Sequence, residues 1–138
     1  MKRILVAIND SPPALAAATA AIELATDVGA QLRFVTVTQA DCDNTTALRH
    51  VTDLAERAGL QPTTTADDDG HPFEVLLRLA KEWRADLIVM GRSDRRQPGV
   101  PYVGSQTEHL LEFTHIPVLV VPHPPPRRRA DHAQEVPR

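Results

Sequence analysis

The sequence has a single cysteine, Cys42, and no Cys-x2-Cys pair, so neither an internal disulfide nor a zinc knuckle is open to it. Its histidines fall in no HExxH or His–Cys grouping, which excludes the familiar catalytic zinc sites. GxxxxGK[ST], GxGxxG and GxSxG are all missing, and INDSPPA lacks the glycines of an SGGxDS-type loop, so two common phosphate cradles and the usual serine-hydrolase elbow are absent. No apolar run approaches the roughly 18 residues of a membrane span. The opening MKRILVAIND turns polar after five apolar residues, too few for a signal-peptide core. A basic excess is lacking too: 15 Lys and Arg face 18 Asp and Glu, for a formal charge of −3, which argues against a nucleic-acid binder. A cytoplasmic, single-domain protein with no membrane or nucleic-acid partner is expected of the 138 residues.

What is present alternates. Ile4 to Ile8 is a β-branched apolar run stopped by Asn9-Asp10-Ser11, and reads as a buried parallel strand. Ser11 is placed to cap a helix whose first turn holds Pro12-Pro13, with Leu15, Ala18, Ile22, Ala25 and Val28 on related faces and Gly29 at its end. Gln31 to Thr38 is a second strand, and Ala47 to Ala58 an amphipathic helix closed by Gly59. Pro62 to Ala66, with three threonines, suits a partly solvated edge strand. Pro72 opens a helix through Trp83, Leu87 to Met90 is a fourth buried strand, and a loop from Gly91 to Gly104 leads to a helix over Ser105 to Phe113. Val118 to Val121 is the last strand. Strands alternating with helices predict βαβ units: one doubly wound, Rossmann-like α/β domain with a five-stranded parallel sheet and helices on both faces. Residues 1–122 form this domain. Residues 123–138, rich in proline and carrying Arg127 to Arg129, are expected to be a disordered tail. The segment from Pro122 onward holds four arginines against two acids, which leaves residues 1–121 at −5.

In such sheets ligands bind beyond the carboxyl ends of the strands, at the switch in strand order. Two strand ends qualify, Asn9-Asp10-Ser11 and Gly91-Arg92-Ser93-Asp94. Gly104 allows close backbone approach, and Ser105 with the amides that follow makes an anion site, overlain by Arg92, Arg95 and Arg96. Gly-Ser before a helix is equally a plain cap, and the residues alone leave both readings open.

The segments ILVAINDS, ADLIVMGRSD, VGSQTEHLL and HIPVLVV, in this order and spacing over residues 2–122, resemble the universal stress protein family in its A-type form. Nucleotide-binding members carry Gly-x2-Gly-x9-Gly-[Ser/Thr]; here Gly91, Asp94 and Gly104-Ser105 fall at those spacings, a degenerate form of the motif. The resemblance implies strand order 3-2-1-4-5 and a stress-response module that binds ATP or another adenine nucleotide, with magnesium. It implies a pocket built from Ala7, Asn9, Val37, Met90, Gly91 and Arg92, with Gly104, Ser105, Gln106 and Thr107 on the phosphates. Two positions depart from it: Asn9-Asp10-Ser11 replaces Asp-Gly-Ser, and Asp94 replaces the middle glycine. A carboxylate facing phosphates costs Coulomb energy. Two alternatives therefore stand beside nucleotide binding, a nucleotide-free dimeric interaction module blocked by Asp10 and Asp94, and a slow ATPase. No catalytic constellation is evident, so a binding module is expected rather than an enzyme. As an apolar edge, Val118, Leu119, Val120 and Val121 invite pairing with another chain, and in the resembled family this strand meets its twin, which implies a homodimer.

Asp67-Asp68-Asp69-Gly70 lacks the later glutamate of a calcium loop, Val75 and Leu76 standing there, and reads as a solvated turn. Cys42 lies between Asp41 and Asp43, whose charges disfavour a thiolate.

Overall fold

The computed structural model of the protein describes residues 1–9, 12–37, 45–67, 72–92 and 114–122. Five strands, β1 (Arg3–Ala7), β2 (Gln31–Val37), β3 (Thr63–Asp67), β4 (Leu87–Gly91) and β5 (Val118–Val121), alternate with helices α1 (Pro12–Val28), α2 (Thr45–Arg57) and α3 (Pro72–Trp83). All four pairings are parallel and the sheet order is β3-β2-β1-β4-β5, as expected. The predicted helix over residues 105–113, the Asp68–Gly70 turn and the tail from residue 123 lie outside the described residues.

The pleat sorts side chains between two cores. Ile4, Val6, Leu32, Phe34, Leu87 and Val89 face α1 and α2, where Ala17, Ala21, Val51 and Ala55 complete one cluster. Leu5, Val35, Ile88 and Met90 face α3 and pack on Leu76 and Ala80. The middles of β1 and β4 are apolar on both faces because both faces are covered, whereas β2 carries Arg33 on one face and the buried Thr36 on the other. At one edge Thr63 and Thr64 of β3 stand exposed, which matches the solvated character read from the threonines.

Helix α1 buries Ala18, Ile22 and Ala25 of the expected residues and departs at its two ends. Leu15 and Val28 are exposed, and the buried stripe is Ala14, Ala17, Ala18, Ala21, Ile22 and Ala25. A helix apolar almost all round carries little directional signal, and closeness to the sheet decides instead: methyl groups let the helix axis ride low. Element ends shift by a residue or two: β1 begins at Arg3 and ends at Ala7, α2 begins at Thr45, β3 runs to Asp67 and β4 reaches Gly91. Gly29 and Gly59, at φ 72° and 90°, close α1 and α2. Helix α3 ends without glycine, and Arg84 takes φ 60° there, at a cost of about 1 kcal/mol.

One polar cluster ties the amino edge of the sheet together. Asp86 Oδ2 accepts from the backbone N–H groups of Lys2 (2.8 Å) and Arg3 (3.0 Å), joining the chain ahead of β4 to the start of β1. Arg3 Nη1 donates to the Trp83 carbonyl at 2.8 Å, and the Arg3 and Arg33 guanidinium carbons lie 5.9 and 4.7 Å from the Trp83 ring centre. Arg33 Nε donates to Thr63 Oγ1 at 2.9 Å. These residues bind β1, β2, β3 and α3 at one corner.

The two amide donors hold the Asp86 carboxyl below the ordinary aspartate value of 3.8, with smaller help from the N-terminal ammonium and Arg3. A folded-state pKa below the unfolded one stabilises the fold above pH 3.8, and that contribution disappears as pH falls through the folded value. Asp86→Asn is therefore expected to melt below the parent at neutral pH, the gap closing in acid. Melting curves of both proteins from neutral pH into acid check this; a gap that does not change with pH would contradict it.

Candidate functional site

The sheet has one switch point. From β1 the chain steps outward through β2 to β3, then returns to β4 on the other side of β1. The carboxyl ends of β1 and β4 are adjacent there, with Val6 level with Val89, and a switch of this kind is where an open α/β sheet takes its ligand.

Each wall is built by the local sequence. Beyond β1, Ile8 donates its N–H to the Val35 carbonyl at 2.8 Å and buries its side chain on the α1 side, which carries the chain out to Asn9 at the surface. Ala7 is half-buried against the α3-side cluster. Across from it, Met90 is buried, while Gly91 and Arg92 are half-buried, and Arg92 donates its N–H to the Val121 carbonyl at 2.8 Å. Pro13 in the first turn of α1 is buried against Gly91.

Five of the expected residues, Ala7, Asn9, Met90, Gly91 and Arg92, thus meet at one edge, across one pair of neighbouring strands. Val37 ends β2 on the far side of β1, its backbone in register with Asp67. Gly104, Ser105, Gln106 and Thr107, with Asp10, Ser11 and Asp94, lie outside the described residues. Among the described wall residues the one charged side chain is cationic, Arg92, and backbone supplies most of the rest. A guanidinium at that edge suits an anionic guest. The edge holds no general base paired with a nucleophile, and no group of three or more His, Cys, Asp or Glu placed to hold a metal occurs among the described residues.

Sequence reasoning missed Pro13, read only as a helix opener, and Asp86, whose partners lie more than eighty residues away in the chain. The steric tie between Pro13 and Gly91 has no local sequence signal at all.

The model of the Universal stress protein family matches residues 1–46 and 40–122. A universal stress protein of Methanocaldococcus jannaschii is 35% identical over 78 residues, 56% of this chain and 45% of the relative, so the match spans less than half of that relative's length. Among solved structures, a universal stress protein in complex with cAMP is 25% identical, with a TM-score of 0.76 over 89% of this chain and 98% of the other. A protein of the same family from Burkholderia pseudomallei is 31% identical, with a TM-score of 0.65 over 88% and 96%.

Proposed function

The chain belongs to the universal stress protein family, and from that premise we propose that it is a cytoplasmic stress-response module that binds an adenine nucleotide, ATP or a related species with magnesium, between the ends of β1 and β4. The observation that carries this reading is the meeting of Ala7, Asn9, Met90, Gly91 and Arg92 at the switch point, with a guanidinium as the one described charge. The structure most relevant to the ligand, a family member 25% identical to this chain, is a complex with cAMP. Gly104, Ser105, Gln106 and Thr107 would hold the phosphates, and Val37 would offer its backbone. Asn9 stands where the family pattern has an acid, so the contact there is an amide's. Binding, not turnover, is the proposed activity, since the described walls offer a cation and backbone groups and no acid–base pair.

The proposed assembly is a homodimer through β5. The two sheet edges differ: β3 presents threonines, whereas all four residues of β5 are apolar and Leu119 is 39% exposed.

Calorimetry with ATP and magnesium, with AMP and with cAMP tests the ligand. Dissociation constants on the order of micromolar are expected, with a ligand-dependent rise in melting temperature. No heat with any of the three would overturn the reading in favour of a nucleotide-free interaction module, in which Asp10 and Asp94 repel phosphate. Steady phosphate release from ATP would make the protein a slow ATPase.

A further inference from the structure

We propose that Gly91 is a positioning residue: its missing side chain admits the first turn of α1 against the end of β4, and so sets the width of the crevice, instead of admitting a ligand. A glycine is usually required for one of two reasons, a left-handed backbone or a close approach. The first does not hold, because Gly91 is an in-register strand residue opposite Val121 and is not among the glycines with positive φ. The second holds, and the approaching group is protein. A Cβ at position 91 would meet the carbonyl carbon and oxygen of Pro13, closer than any real contact, and the Pro13 Cβ at 2.8 Å.

The direction agrees with the pleat. Leu87 and Val89 point to the α1 face, and position 91 is next in that row. The alanine stripe of α1 continues the same close approach along the helix, from Ala14 to Ala25. The obstacle is mainly main chain, which no rotamer change removes, and the ring of Pro13 fixes φ in that turn so that the carbonyl has little room to retreat. Any larger residue at 91 must therefore lift the amino end of α1 from the sheet, and with it the wall of the crevice beside Asn9.

The bearing on nucleotide affinity rests on the function proposed above, whereas the bearing on ligand-free stability does not. Gly91→Ala is expected to lower the melting midpoint of the ligand-free protein by about 5–10 °C. It should also weaken ATP binding by the folded protein, by roughly tenfold. In a Pro13→Gly background, where the turn can give way, both losses should shrink, a coupling that a double-mutant cycle reads directly. An unchanged ligand-free midpoint together with weaker nucleotide binding would overturn the proposal and return the glycine to the ligand. So would losses of equal size in both backgrounds. If Gly91→Ala does not fold alone, folding of Gly91→Ala/Pro13→Gly supports the proposal, and failure of both overturns it. If the parent binds no adenine nucleotide, the function fails while the ligand-free cycle still decides the role of Gly91.

Discussion

Val120→Pro is expected to convert the proposed dimer to a monomer that keeps its fold, whereas Leu119→Pro should unfold the edge itself. The difference follows from where the backbone of β5 points. Ile88 donates to the Pro117 carbonyl at 2.9 Å and Arg92 to the Val121 carbonyl at 2.8 Å. Backbone polar groups alternate sides along a strand, so Leu119 also faces β4, and Val118 and Val120 turn theirs outward. Proline removes one N–H. At position 120 that N–H is one a partner strand would use, and proline is tolerated on an edge strand whose N–H faces out. At position 119 the lost N–H belongs to the β4 pairing. Light scattering on the two variants and the parent reads the result. A Val120→Pro protein that stays dimeric would show that self-association uses another surface. The next outward residue after Val120 is Pro122, so the edge offers a partner few donors, and losing one of them should weaken association by more than tenfold.

Two residues apart on one face of β2, Phe34→Ala and Thr36→Val should have opposite signs. Phe34 is fully buried among the α1- and α2-facing residues, and truncating it should destabilise the domain by about 3–5 kcal/mol, a large part of the 5–15 kcal/mol typical of such folds. Thr36 is 2% exposed, and its hydroxyl has no hydrogen-bond partner among the described residues. A buried hydroxyl without a partner loses its hydration and regains nothing, so an isosteric methyl should stabilise by about 1 kcal/mol. Denaturant unfolding of both variants measures the pair. A Thr36→Val protein less stable than the parent would show that the hydroxyl is bonded in solution.

A covered parallel sheet was legible because Ile4 to Ile8 and Leu87 to Met90 are short, doubly apolar runs bounded by turn residues, with helical stretches between the strands, whereas the strand order came through family likeness. The β3 edge was legible too, from its threonines, whereas the apolar VLVV run of β5 reads like a buried strand and owed its edge place to the strand order. On α1 the places of Ala18, Ile22 and Ala25 were legible and those of Leu15 and Val28 were not, since both outweigh alanine in hydrophobicity while alanine wins on distance of approach. At the site, the carboxyl edge with Asn9, Gly91, Arg92, Gly104 and Ser105 followed from fold physics, while Ala7, Val37 and Met90 came through family likeness. The Pro13–Gly91 contact and the Asp86 carboxylate under the amides of β1 join positions far apart in the chain, and no local pattern announces either.

The corner where Arg3 and Arg33 lie over Trp83 also determines what light can report. Trp83 is the sole indole of the chain, so emission excited in the red tail of the near-ultraviolet band arises from that corner alone. It stands at the amino edge of the sheet, and the five residues of β1 put about 15 Å between it and the crevice. Its fluorescence is thus a gauge of whether α3 is seated on the sheet, insensitive to occupancy at the opposite edge. A label for the ligand must be placed elsewhere.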